Sequence, residues 1–303
     1  MSINTIEYAK IFMDALDGQL VAGATSGWME ENSGQIQYNG GNEVKIPKIQ
    51  LNTYDKDSGF VQGAVTLTYE TKQMTQDRGR TFQLDAVDVD ETNFALVAGN
   101  VMGEFQRTKV IPEIDAYRYS KIAELAKTMK KTSLYKPTQD TILQKLLDEI
   151  AMIKDVVGDE NEIVITMSTK IANLLDMASN HVLESGTFQQ GNVTLNVKNI
   201  DGSPIIRVPS ARLKTAYQFF DGTTEGQTEG GFEATQDAQN INWIIAVRHA
   251  LIAVSKTDVT RIFDPVTNQK ANAWKIDYRK YHDLWIPDNA MEGIWVNING
   301  TAS

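Results

Sequence analysis

The 303-residue chain has no cysteine at all, and only three histidines and seven prolines. Without cysteine there is no disulfide framework, no thiol nucleophile and no zinc or iron–sulfur site built on thiolate. His181, His249 and His282 lie far apart in sequence. None has a His, Asp or Glu four residues away, the spacing that sets two metal ligands on one helical face. Positive charge is also scarce. Twenty-nine Lys and Arg against thirty-nine Asp and Glu leave a net charge of −10, which argues against sequence-specific nucleic-acid binding. No run approaches eighteen apolar residues, and Met1 to Gln19 lacks a basic stretch followed by an apolar core. Neither a membrane span nor a signal peptide is expected. The phosphate-cradling Gly-Lys-Ser/Thr and the dinucleotide pattern GxGxxG are both missing. Gly23-Ala-Thr-Ser-Gly27 has Thr25 where a nucleophile elbow needs serine, and reads as a flexible loop. The cluster Asp85, Asp88, Asp90 and Glu91 lacks the glycine turn and terminal Glu of a calcium loop, and reads as a helix N-terminus. The chain is expected to be no enzyme, with no catalytic, cofactor-binding or metal-binding residue.

What is present is strong periodicity. Ile6, Ala9, Phe12, Met13 and Leu16 form a helical stripe, followed by a Gly-, Ser- and Asn-rich arm from Gly23 to Asn42. Glu43 to Ile49 alternates as a strand, with Pro47 confining it to an edge. Val65, Leu67 and Tyr69 alternate with polar residues, and Phe82 and Leu84 repeat the pattern on a return strand after the turn-like Thr75-Gln-Asp-Arg-Gly79. This predicts a long two-stranded ribbon between these segments, too polar to form a core of its own. Asp90 is placed to cap a helix with Phe94, Val97, Val101, Met102 and Phe105 on its apolar face, resuming after Pro112 with Ile114, Tyr117, Ile122 and Leu125. Pro112 predicts a break or kink in a helix that would run about 55 Å if continuous. Pro137 and Thr138 are read as opening another helix, with Ile142, Leu146, Ile150, Ile153 and Val157 inward and Gly158 at its end, Glu162 to Met167 as a buried strand, and Ser168 as the cap of a further helix. Val193–Val197, Ile205–Val208, Trp243–Val247, Trp274–Trp285 and Gly293–Ile298 read as strands, and Asp221 to Gln239 as a surface loop. The class is α+β.

This order of elements resembles the Hong Kong 97-like coat fold of tailed phages. The resemblance sharpens in Ala64-Val-Thr-Leu-Thr-Tyr-Glu-Thr-Lys72, Thr75-Gln-Asp-Arg-Gly79, Asp88-Val-Asp-Glu-Thr-Asn93, Val110 to Tyr119 and Ile262 to Asn272. These stretches are similar to major capsid proteins of phages and prophages of Gram-positive bacteria. The resemblance implies an N-terminal arm (1–50), an extended β-ribbon loop (51–89) and a peripheral domain with a spine helix (90–136). It further implies an axial domain (137–261) and C-terminal strands returning to the peripheral domain (262–303). It implies self-assembly through pentamers and hexamers into an icosahedral shell in the virion, built in the host bacterial cytoplasm around non-specifically held double-stranded DNA. A portal protein and, since no long charged helical region precedes the arm, a separate scaffolding protein are the expected partners, with no large N-terminal segment removed on maturation. Lys72 is the candidate donor for the lysine–asparagine cross-links of some relatives. Val65, Leu67, Tyr69, Phe82 and Leu84 of the ribbon, with Phe12 and Trp28 of the arm, are the expected subunit interface. Replacing 64–86 by a short link is then expected to spare the fold and abolish shells. An encapsulin-type nanocompartment shell is the alternative on the same fold.

Overall fold

A computed structural model describes residues 23–38, 43–51, 65–85, 94–178, 183–191, 193–268 and 270–301. From Gly27 to Gln35 the chain makes a short 3-10 helix, then β1 (Gln37–Tyr38) and β2 (Glu43–Leu51). Next come β3 (Val65–Gln73) and β4 (Gln76–Asp85). The predicted pairing of these last two strands is overturned. β3 pairs antiparallel with β2 over its whole length, from Glu43↔Gln73 to Leu51↔Val65, whereas β4 pairs with a strand 200 residues later. Only Met74 and Thr75 separate β3 from β4, so Thr75-Gln-Asp-Arg-Gly79 is mostly strand rather than turn.

The spine of the molecule is α1 (Phe94–Phe105), a π-helical turn at Gln106–Val110, and α2 (Ile111–Thr128). The expected break at Pro112 does not occur. Proline withdraws an N–H and its ring crowds the carbonyl four residues back. Here the helix widens by one residue just before it, with Ile111 N–H bonded to the Gln106 carbonyl, and runs on. At the α-helical rise the whole spans about 50 Å. Asp90, its expected cap, lies outside the described residues.

After β5 (Thr132–Tyr135) comes α3 (Ile142–Val157), which starts later than the expected opening at Pro137 and Thr138, and then β6 (Ile163–Ser168) and α4 (Thr169–Ala178), as the periodicity predicts. Gly158, at φ +89°, ends α3 by donating its N–H to the Lys154 carbonyl at 2.8 Å. The rest is mostly β: β7 (Glu184–Gln190), β8 (Val193–Ile200), β9 (Ser203–Val208), β10 (Tyr217–Phe219), β11 (Phe232–Ala234), β12 (Ile241–Val247), β13 (Ile252–Phe263), β14 (Ala273–Trp285) and β15 (Ile294–Asn299).

Seven strands form one mixed sheet in the order β5-β15-β12-β6-β9-β8-β7. Its central strands β6 and β12 are buried throughout, as continuous apolar runs must be when both faces are covered. The main core gathers Leu146, Ile150 and Ile153 of α3, Ile163 and Ile165 of β6, Trp243 and Ile245 of β12, and Trp28 of the N-terminal segment. A second sheet, β13-β14-β4, packs Phe82 and Leu84 with Met102, Phe105, Ile276 and Tyr278. The ribbon sheet β1-β2-β3 joins a third cluster of Val44, Ile46, Met74, Ile252, Val254 and Trp285.

Sheet membership differs from the expected boundaries at both ends. The ribbon begins within 1–50, at Glu43, and β4 leaves it for the spine sheet. Within 262–303, β14 joins the spine sheet but β15 joins the seven-stranded one, between β5 and β12.

Candidate assembly surfaces

A two-stranded ribbon has two faces, and its register assigns residues to them. One face carries Val44, Ile46 and Lys48 opposite Lys72, Glu70 and Thr68. Val44 and Ile46 are buried against β13 and β14, and Lys48 reaches Asp288 at 2.9 Å and Glu70 at 3.7 Å. The hydrogen bond to Asp288 raises the Lys48 pKa and lowers that of Asp288. Lys72 is ion-paired to Glu70 at 3.3 Å. This face is therefore committed to its own chain. The other face pairs Pro47 with Tyr69, and both are exposed, Tyr69 to 45%. In the same register Ile49 pairs with Leu67 and Leu51 with Val65, so every second position is apolar from Pro47 to Leu51 and from Val65 to Tyr69.

The expected interface residues thus divide. Val65, Leu67 and Tyr69 lie together on β3 of the ribbon. Phe82 and Leu84 do not join them. They sit on β4 in the cluster beneath the spine helix, where the Phe82 ring meets Phe105 edge-on at 4.8 Å. Trp28 is a core residue, with no exposure and its ring edge-on to Phe188 at 6.4 Å. Phe12 lies outside the described residues.

The segment expected to be a flexible loop, Gly23 to Gly27, is instead firmly anchored by polar contacts. Asp115 of α2 has no exposure, and it accepts hydrogen bonds from Thr25 N–H (3.2 Å), Thr25 Oγ1 (2.9 Å), Ser26 N–H (3.0 Å) and Ser26 Oγ (2.7 Å). Arg212 closes the other side at 3.3 Å. One turn along the helix, the fully buried Arg118 donates to Ser26 O and Oγ, both at 3.2 Å, and pairs with Glu30, which also accepts from Ser255 Oγ at 2.8 Å. A buried charge is tolerated only when paired and hydrogen-bonded, and both of these are. The signal of this in the sequence is a charged pair, Asp115 and Arg118, three apart and set among Ile114, Ala116, Tyr117 and Tyr119.

Arg78 forms a second tie that sequence reasoning missed. From β4 it pairs with Glu113 of α2 at 2.6 Å and donates to the carbonyls of Phe220 (2.6 Å) and Gly231 (3.3 Å), the two ends of the β10–β11 loop. Close by, His282 is 2% exposed with its Nδ1 unpartnered, and its ring meets Tyr117 edge-on at 5.2 Å. Burial, reinforced by Arg118, Lys280 and Arg78, holds its pKa well below the usual histidine range.

A groove of about 890 Å³ lies beside the anchored segment, lined by Gly23, Thr25, Ser185, Asp176, Lys198 and Arg207. Asp176 is neutralised there by Lys198 at 2.9 Å and Arg207 at 2.7 Å, which lower its pKa. Among the described residues no three His, Asp or Glu gather to hold a metal ion.

A ribbon sheet, a long spine helix, a three-stranded sheet beneath it and a mixed sheet carrying two helices define the Hong Kong 97-like coat fold, and the chain has that fold. The mature capsid of bacteriophage PhiM1 matches with a TM-score of 0.52 at 11% identity, covering 88% of this chain and 84% of that one. The capsid of cyanophage P-SCSP1u matches with 0.52 at 9% identity over 88% and 86%, and that of Staphylococcus phage Andhra with 0.51 at 11% over 88% and 82%. No family model and no curated protein matches the chain.

Proposed function

We propose that this chain is the major capsid subunit of a tailed phage or prophage. It assembles through pentamers and hexamers into an icosahedral shell around double-stranded DNA, with a portal protein and a separate scaffolding protein as partners. Its role is structural rather than catalytic. Assembly takes place in the host cytoplasm, and the mature chain resides in the virion.

The observation that carries this reading is the ribbon. One face, Val44 to Lys48, is spent on the chain's own third cluster. The other has Pro47 and Tyr69 exposed, in register with Ile49↔Leu67 and Leu51↔Val65. A two-stranded ribbon is marginal in water, and a strip of apolar residues along it needs cover. Burying one large apolar side chain is worth about 1.5–3 kcal/mol, so a few such residues against a neighbouring copy decide association.

The test is a variant with Leu67→Ser and Tyr69→Ser, compared with wild type by light scattering and negative-stain microscopy at high concentration with scaffold. The wild type is expected to give shells or tubes, and the variant a soluble chain of unchanged circular dichroism without particles. Normal particles from the variant would remove the ribbon from the reading, and a wild type that stays monomeric would remove the coat role itself.

A further inference from the structure

Charge is unevenly distributed along this acidic chain, and two surface segments are complementary. Between Glu124 and Asp140 the sequence has Lys127, Lys130, Lys131 and Lys136 and no acid. Between Lys214 and Arg248 it has Asp221, Glu225, Glu229, Glu233 and Asp237 and no base. The first segment is the C-terminal end of α2 and strand β5, where exposed Met129 (45%) and Leu134 (44%) lie among the lysines. The second is the β10–β11 hairpin, whose half-buried rings Tyr217, Phe219 and Phe232 stack on one another at 5.5–6.2 Å. Each surface therefore combines one sign of charge with apolar groups.

Within one chain the two meet only at the base of the hairpin, where Lys127 lies near Asp237, and the tip of the hairpin is held away from Lys130. The hairpin loop is tied to the N-terminal end of α2, by Arg78 between Glu113 and the Phe220 and Gly231 carbonyls and by Phe219 on Tyr117 at 5.6 Å. Lys130 lies past the far end of that helix, about 25 Å away at the α-helical rise. Some charges are already answered locally: Lys131 by Glu292, Lys127 by Asp237 at the hairpin's base, and Arg80 reaches the Glu229 carbonyl at 3.4 Å. Lys130 and Lys136 at one end, and Glu225, Glu229 and Glu233 at the other, are exposed, and their side chains form no ion pair among the described residues.

We propose that these two surfaces bind each other between neighbouring copies: the acidic aromatic hairpin of one subunit seats on the Lys130/Met129/Leu134/Lys136 surface of the next. Two different patches on one molecule make a heterologous contact, which closes into a ring when the rotation per step allows it. The inference rests on the coat reading and names a contact within the shell that the ribbon does not supply. Opposite potentials on the two patches set the register of neighbours and reject like-with-like docking.

The test is a charge swap in the full chain. Lys130→Glu with Lys136→Glu, and separately Glu225→Lys with Glu229→Lys, change only exposed positions. Asp221 is left alone because it holds its own turn through Thr223 and Thr224. Circular dichroism checks that each variant folds, and sedimentation and electron microscopy read assembly. Each reversal is expected to raise the concentration needed for assembly by about tenfold or more, since like charges then meet. Combining the two reversals is expected to restore it. Unchanged assembly in either reversal, or no recovery in the combination, overturns the contact while leaving the coat reading intact. If the lysine reversal instead leaves assembly unchanged and lowers DNA retention, the patch is a phosphate surface and the contact is overturned. A wild type that never assembles overturns both.

Discussion

At the scale of single residues, the anchoring of Thr25 and Ser26 on Asp115 is the feature most exposed to mutation. Four donors converge on that carboxylate, and Arg212 approaches from the side. Asp115→Ala leaves those donors and a partly buried guanidinium unanswered, so the expected cost is about 3–5 kcal/mol, the range for breaking one side of a buried pair. Denaturant unfolding of the monomer measures it, and a loss under 1 kcal/mol would show that the N-terminal segment is not fixed by this contact. His282 makes stability depend on pH in a different window. Its neighbours are Arg118 and Tyr117 of α2, Arg78 of β4, and Lys280 and Asp283 of its own strand. With its folded pKa depressed, the unfolded chain binds the extra proton, so stability rises with pH in this range. The contribution is full above the ordinary histidine pKa of about 6.5 and is lost as pH falls below it. Wild type is expected to lose more melting temperature than His282→Gln between pH 7.5 and 5. Depressed aspartates such as Asp77, Asp176 and Asp277 add the same sign of dependence only as pH falls through and below the carboxylate range. Equal losses in the two proteins would refute the assignment to His282.

At the scale of elements, much was legible, because amphipathic period and burial agree. The α2 stripe, α3 with its Gly158 stop, the buried run of β6 and the strands β12 and β14 all fall where the pattern puts them. What failed was pairing. Alternation says that Val65–Tyr69 and Phe82–Leu84 are strands, but it contains nothing about which strand each one meets. β4 finds ten partners on β14, from Asp85↔Ala273 to Gln76↔His282, and its apolar side completes the cluster under the spine. The link replacing 64–86 would therefore remove a strand of the subunit's own sheet together with half the ribbon, and its effect on assembly could not be separated from unfolding. Pro112 failed for a similar reason, since a helix can absorb a proline by widening one turn. The Asp201-Gly202 turn joining β8 to β9, both residues at positive φ, carries a hairpin signal in its dipeptide. The polar ties had almost none. Thr25, Ser26, Asp115 and Arg212 come from three distant parts of the sequence, and only the finished fold brings them together.

At the scale of the whole molecule, the expected division into peripheral and axial parts gives way to continuity through one strand pair. β13 and β14 pair from Ile252↔Trp285 to Phe263↔Lys275. Along β13, Ala253 enters the main core while its neighbours Ile252 and Val254 enter the ribbon-root cluster. Along β14, Leu284 enters the main core, Trp285 the ribbon root, and Ile276 and Tyr278 the cluster under the spine. Because side chains alternate across a strand, the same backbone forms part of the wall of all three clusters, and none can lose it alone. Trp28 and the Asp115 contacts add a further bond, fixing the N-terminal segment to the main core and the spine together. Separate domains would melt separately, as multidomain chains of this length commonly do. This one is expected to melt as a unit when assembly is prevented by Leu67→Ser with Tyr69→Ser. Calorimetry should then show one transition, with the calorimetric and van't Hoff enthalpies in agreement. Leu284→Ala, which touches only the main core, should move that single transition down without splitting it; such a truncation costs about 2–5 kcal/mol. Two resolved peaks, with only one of them shifted by Leu284→Ala, would mean that the clusters are independent and that β13 and β14 merely connect them.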